Sequence, residues 1–203
     1  MRLRRLLLPL NPIYRLGLGW RERRLRSGRE PVSRLRFPVV SVGNLSTGGA
    51  GKTPFAIALA GALNDRGFAV DVLSRGYGRR SEAPTRVRLD GTAEEFGDEP
   101  LVIAHQAAVP VYVARQRYQA GVLAEAYADQ SPSDQRPRVH ILDDGFQHRQ
   151  LHRDVDILLL NRQDWNDRLL PGGNLRESRN AVRRAGVIGI PDTEPELENE
   201  LRG

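Results

Sequence analysis

The sequence predicts an α/β fold, with a mostly parallel sheet covered by helices on both faces. Three observations carry that expectation. From Pro38 onward, short β-branched runs alternate with helical stretches. One of those runs leads through a glycine-rich loop directly into a helix. The composition supports a buried core: of 203 residues, 39% are apolar and 28% charged, which excludes a disordered acidic chain and a membrane bundle.

The first element is a basic arm. Residues 1–36 hold 11 arginines and two glutamates, a net +9 within a whole-chain balance of +6, so the remaining residues sum to −3. Its longest unbroken apolar stretch is Leu6–Leu10, far short of the ~20 residues that span a bilayer. Pro9, Pro12 and Arg15 interrupt it and no small-residue cleavage site follows, so a secretory signal fits poorly. From Pro12 a helix is expected, offering Ile13, Tyr14, Leu16, Leu18 and Trp20 for apolar contact among arginines. That is the pattern of an amphipathic segment on an anionic membrane surface. The alternative is a helix packed on its own domain with a solvated basic face. Nucleic-acid binding is not expected, because the basic run has few interleaved aromatics.

The core is expected over residues 37–190. Val39–Val42 reads as a buried strand and Pro54–Arg66 as a helix stopped by Gly67. Ala69–Leu73 is a second strand, and Arg86–Leu89 a short hairpin strand. Pro100–Gln106 is helical, Val109–Val113 a strand and Arg115–Ala128 a helix. Ser131–Arg136 is a loop, followed by strands Val139–Leu142, Val155–Leu160 and Gly186–Ile190. Residues 191–203 are acidic and weakly patterned, and are expected to begin a C-terminal region. The absence of cysteine excludes a disulfide scaffold, a cysteine nucleophile and a thiolate zinc site.

Of 31 basic residues only Lys52 is a lysine, and it lies in Ser46-Thr47-Gly48-Gly49-Ala50-Gly51-Lys52-Thr53. Strand before and helix after match the Walker A loop, except that Ser46 stands at the first glycine of the template. Gly48, Gly49 and Gly51 let the backbone turn so that its N–H groups converge on phosphate oxygens, and the helix N-terminus adds its dipole. Lys52 is expected to reach the β- and γ-phosphates, with the Thr53 hydroxyl on Mg²⁺. The core is therefore expected to be a P-loop NTPase. Thr47 stands where partitioning-type ATPases carry a signature lysine, which argues against that group.

Two acidic pairs follow. Asp143-Asp144 directly follows strand Val139–Leu142, where a P-loop fold places its second Mg²⁺ contact; an Asp-Gly turn is the alternative, but the position at a strand end makes the metal reading the better one. Asp98-Glu99 precedes Pro100 and reads as a helix start capped by Asp98; transfer to an alcohol, however, needs an acceptor for the hydroxyl proton. His148 follows Asp144 closely enough to face the same site. The stretch Arg75-Gly76-Tyr77 and the loop Gly172–Glu177 are candidates to hold a sugar and an anionic group.

Together, VVSVGNLSTGGAGKTPF, VLSRGYGRR, FGDEPL, ILDDGFQHRQLHRDVDILLLN and RLLPGGNLRE resemble the tetraacyldisaccharide 4′-kinase family of Gram-negative bacteria, in family order and over nearly the whole chain. The resemblance implies transfer of the ATP γ-phosphate to the 4′-hydroxyl of an acylated glucosamine disaccharide 1-phosphate, a lipid A precursor. It also implies a monomer at the cytoplasmic face of the inner membrane. Carried over, Ser46–Thr53 hold the phosphates, while Thr53, Glu99, Asp143 and Asp144 surround Mg²⁺. Asp98 becomes the proton acceptor, and Arg75, Gly76, Tyr77, Gln147, His148, Asn174 and Glu177 hold the headgroup or order the site. Family members continue beyond the equivalent of Ile190 and pair that aspartate with a later histidine, whereas no histidine follows His152 here. The resemblance thus implies a fragment or short form, with an ATP-binding module lacking phosphotransfer as the alternative.

Overall fold

The structure is a computed structural model that describes residues 8–131 and 133–202. Residues 1–7 of the basic arm, Leu6 and Leu7 of the Leu6–Leu10 stretch among them, Pro132 of the expected Ser131–Arg136 loop, and Gly203 lie outside the described residues.

Among the described residues seven strands form one mostly parallel sheet: β1 (Val39–Asn44), β2 (Ala69–Ser74), β3 (Thr85–Arg86), β4 (Val111–Val113), β5 (Arg138–Asp143), β6 (Val155–Leu159) and β7 (Val187–Gly189), in the order β3-β4-β2-β5-β1-β6-β7. The helices are α1 (Asn11–Arg26), α2 (Lys52–Asp65), α3 (Ala93–Phe96), α4 (Asp98–Ala107), α5 (Arg117–Asp129), α6 (Arg162–Trp165) and α7 (Pro195–Arg202). By contacts the chain divides into two compact units.

One unit comprises Val32–Val42 and Gly51–Val155. Here β5 lies between β1 and β2, pairing Val39 with His140 and Leu73 with Leu142, both in parallel. The strand expected at Arg86–Leu89 is instead Thr85–Arg86, pairing antiparallel with β4 at the edge. Every residue of β2 is buried, as a strand covered on both faces requires. On one face Leu73, Tyr112 and Leu142 pack with Ala120 and Ala124 of α5 and with Leu35. Gly121 lets that helix approach: a Cβ there would lie 2.2 Å from Leu35 Cδ1. The alternate residues Val70, Val72 and Ile141 are buried too, and α2 contacts β2 and β5. The Leu73 face also carries a buried polar pair, His140 and Asp71, with Asp71 Oδ2 3.5 Å from His140 Nδ1.

The other unit takes in the N-terminal segment to Pro31, Gly43–Ala50 and the chain from Asp156. Its strands β6 and β7 pair in parallel, Ile157 with Val187. The tail, weakly patterned in sequence, is a helix: α7 buries Leu197, and its Glu200 accepts from the Arg162 guanidinium and the Trp165 indole N–H. The short helices α3 and α6 were not legible. The first closes its start with a capping box between Thr92 and Glu95, and in the second Asn161 Oδ1 accepts the Asp164 N–H at 2.7 Å.

Candidate active site

β1 delivers the chain to the glycine loop, and the loop's first half belongs to the unit with α1. Ser46 is fully buried. Its Oγ accepts the Gly48 N–H at 3.1 Å and the Asn44 side-chain amide at 3.0 Å. The same amide donates to Gly48 O at 3.1 Å, and Asn44 Oδ1 accepts from Arg176 at 2.7 Å. Backbone bonds join this segment to the second glycine loop: Thr47 N–H to Asn174 O at 2.9 Å and Arg176 N–H to Leu45 O at 2.7 Å. Asn174 thus holds Thr47 with its carbonyl, while its side-chain amide donates to Asp167 at 2.7 Å. Glu177 is buried and its carboxylate meets the Arg184 guanidinium at 2.7 Å. One face of α1 packs on the same loop, since Tyr14 Oη donates to Arg176 O at 2.9 Å and Gly172 N–H to Asn11 Oδ1 at 3.1 Å.

The loop enters α2 through Gly51, whose φ of +72° lies in the left-handed region that favours glycine. α2 starts at Lys52, two residues before the expected Pro54, and no side chain caps it. Its first-turn N–H groups are therefore directed outward from the helix end. Pro54 falls in the first turn, where its missing N–H costs nothing. Lys52 Nζ lies 3.6 Å from Asp144 Oδ1.

Asp143 and Asp144 share a turn but not an environment. Asp143 is buried at the end of β5, with its Oδ2 accepting from Ser74 Oγ at 3.4 Å. Its Oδ1 has no hydrogen-bond partner among the described residues. Burial pushes its carboxyl up to about 6, Glu99 and Asp144 push the same way, and Lys52 and Arg117 oppose them. Asp144 is half-buried, with φ of +47°. Gly145 turns the chain back on the sheet, for a Cβ there would lie 2.6 Å from Leu142 Cγ and 2.7 Å from Ser41 Oγ. Gln147 and His148 continue this turn half-buried, and the His148 N–H closes on Gly145 O at 2.8 Å.

The cap expected at Asp98 is corrected. Gly97, with φ of +89°, is the N-cap, and Asp98 is the first residue of α4. The extended ψ at Gly97 starts the helix without using a side chain. Asp98 is exposed and its carboxylate has no hydrogen-bond or ion-pair partner among the described residues. Two glycines bring Arg75–Tyr77 beside it. A Cβ on Gly76 would lie 2.8 Å from Phe96 O, and one on Gly97 3.0 Å from Tyr77 O, so the two backbones are in contact. Arg75 and Tyr77 point their bulk to solvent.

Arg117 escaped sequence reading. It is buried as the first residue of α5 and its charge acts on Asp143. A cation at a helix N-terminus opposes the dipole, and that was its only signal.

A loop entered from a buried parallel strand and left through a helix, with its lysine at the carboxylates that end the neighbouring strand, defines a P-loop nucleotide-binding protein. Comparison with known proteins narrows this class. The chain belongs to the tetraacyldisaccharide-1-P 4′-kinase family, whose model matches residues 3–201. The tetraacyldisaccharide 4′-kinase of Koribacter versatilis is 45% identical over 191 residues, covering 91% of this chain and 57% of that protein. The Aquifex aeolicus kinase is 43% identical over 199 residues, covering 96% of this chain and 60% of the relative. A crystal structure of LpxK from Aquifex aeolicus, described as an "apo" form in complex with ATP, matches with a TM-score of 0.83 at 43% identity, covering 96% of this chain and 60% of that one. The chain thus spans about three-fifths of the length of these relatives.

Proposed function

We propose that the chain performs the phosphoryl-transfer chemistry of a tetraacyldisaccharide 4′-kinase. It moves the γ-phosphate of ATP to the 4′-hydroxyl of an acylated glucosamine disaccharide 1-phosphate, in lipid A biosynthesis. The observation that carries this reading is Lys52 at 3.6 Å from Asp144, beside a buried Asp143 oxygen with no hydrogen-bond partner among the described residues. Lys52 neutralises charge on the β- and γ-phosphates, and the N–H groups at the α2 end of the Ser46–Thr53 loop cradle them, those of Thr47 and Gly48 being engaged by Asn174 O and Ser46 Oγ. Asp98, which no cap contact occupies, accepts the proton of the attacking hydroxyl. Arg75, Gly76 and Tyr77 lie against the start of its helix and contact the headgroup, with Gln147 and His148 on the aspartate turn. Asn174 and Glu177 order the second glycine loop through Asp167 and Arg184.

Thr53, Asp143, Asp144 and Glu99 would hold Mg²⁺, one or two of the carboxylates directly and the rest through water, and the bound ion would supply charge neutralisation on the phosphates. The Asp143 oxygen without a hydrogen-bond partner among the described residues fits a hard cation. Among the described residues no three His, Asp or Glu side chains group closely enough to hold a metal by themselves. Mg²⁺ suits such a site, because it takes one or two carboxylates and completes its shell with phosphate and water.

The arm docks on the anionic inner-membrane surface at its cytoplasmic face. α1 exposes Ile13, Leu16 and Trp20, which at this spacing share one face, while Tyr14 on another face bonds to the unit's own loop. Among the described residues no helix is long and apolar enough to cross a membrane. Transfer of labelled γ-phosphate to the disaccharide acceptor in mixed micelles tests the reading, and Lys52→Ala is expected to abolish it. A chain that binds Mg·ATP yet yields no labelled product is instead an ATP-binding module.

A further inference from the structure

Ser46 departs from the loop template, and the structure gives that departure a use. In the template a glycine occupies this position and brings no side chain. Here the hydroxyl is fully buried and lies between two groups of the loop: the Gly48 N–H at 3.1 Å and the Asn44 amide at 3.0 Å. Asn44, buried as the last residue of β1, also donates to Gly48 O at 3.1 Å. Both polar groups of Gly48 are therefore tied to side chains rooted in or next to a sheet strand. Arg176 completes the arrangement by donating to Asn44 Oδ1 at 2.7 Å, which orients the amide with its N–H groups toward the loop.

We propose that Asn44 and Ser46 are positioning residues that hold the phosphate loop in its binding conformation before nucleotide arrives. A run with glycines at 48, 49 and 51 is costly to order, because glycine loses more backbone freedom than any other residue. Fixing Gly48 through two side chains moves that cost from the binding step to folding, so affinity for the polyphosphate rises. The inference rests on the kinase reading only in naming the nucleotide. The fixed loop is a property of the free chain.

The test is Ser46→Gly, which restores the template and on template reasoning alone would be harmless or helpful. Loss of the acceptor and the added freedom are instead expected to weaken Mg·ATP binding about tenfold, the scale of one or two net hydrogen bonds. Ser46→Ala, which removes the hydroxyl without adding glycine freedom, is expected to weaken it about threefold to fivefold. Amide hydrogen exchange of the nucleotide-free chain gives a readout that a general loss of stability would not localise. Gly48 is expected to be protected in the wild type and to exchange at least about tenfold faster in both variants, with core amides of β2 and β5 unchanged. Equal Mg·ATP affinity of Ser46→Gly and wild type overturns the proposal, as does an unprotected Gly48 amide in the wild type. A wild type that fails to bind Mg·ATP sinks the kinase reading instead, and Gly48 protection lost in both variants then still supports the fixed loop.

Discussion

Replacing Asp71 with asparagine removes one side of a balanced pair of buried titrations. Asp71 Oδ2 lies 3.5 Å from His140 Nδ1, and Glu125 Oε1 lies 3.7 Å from Nε2. Burial, with Arg138 and Arg36, pushes the imidazole down from 6.5 to about 4. Burial pushes Asp71 up from 3.8 to about 6, opposed by Arg138 and Arg86 and aided by Asp134. The two signs are opposite. His140 binds its proton more weakly in the folded chain, so its contribution is full above pH 6.5 and is lost as pH falls toward 4. Asp71 binds its proton more tightly when folded, so its contribution is full below pH 3.8 and is lost as pH rises through 6. Between pH 7.5 and 5, His140 alone removes about 2 kcal/mol while Asp71 returns about 1.4 kcal/mol. Asp71→Asn abolishes the return and leaves the loss. The stability of wild type minus variant is therefore expected to rise by about 1.4 kcal/mol on acidification over that range. Urea unfolding of both chains at pH 7.5 and pH 5 measures it, and the comparison cancels every carboxylate the two share. A difference that stays constant with pH refutes the reasoning.

Asp98→Asn is expected to lower phosphate transfer by about 10²–10⁴-fold while Mg·ATP affinity holds, as loss of a proton acceptor requires. A parallel fall in both, measured by transfer assay and calorimetry, would instead make Asp98 a nucleotide ligand. Serine at Ile13, Leu16 and Trp20 together is expected to weaken binding to anionic vesicles by at least about tenfold, since each side chain gives up apolar burial in the lipid boundary. These three are 66%, 74% and 64% exposed, so the melting temperature should hold. Sedimentation with vesicles that is unchanged by the triple substitution rejects the outward face of α1 as the docking surface.

The sheet was legible because its strands are short, largely apolar runs between helical stretches. Ala69–Ser74 is buried throughout and is legible from Val70, Val72 and Leu73, even though it also buries Asp71 and Ser74. Strand ends were misjudged where the next residue is polar yet still paired. From the pattern Asp143 belongs to the following loop, but its backbone pairs with Val42. The tail helix α7 was missed because it buries a single side chain, Leu197, and is otherwise held by ion pairs with α6 that periodicity does not register. α3 is one turn long, and its capping box was the only trace it left.

The site was legible as residue types and illegible as partnerships. A glycine run with one lysine announces a phosphate loop, but nothing in the spacing says that Gly76 and Gly97 lie back to back and carry Arg75–Tyr77 to the start of α4. The aspartate pair shows the difference most sharply. In sequence Asp143 and Asp144 are equivalent. Strand alternation decides between them: Leu73 pairs with Leu142, so Ser74 and Asp143 share the opposite face and meet through the 3.4 Å hydrogen bond. Asp143 is thereby buried at the C-terminal end of the interior strand β5, where burial raises its carboxyl toward about 6 and Lys52 and Arg117 counter that rise. Asp144, one residue past the strand, takes a left-handed turn at φ of +47°, stays half-solvated and reaches Lys52. On the proposed kinase reading, a nucleotide that draws Lys52 onto its phosphates takes charge from both carboxylates at once. The cost falls mainly on the buried Asp143, and a cation arriving with the phosphates restores what the lysine withdraws.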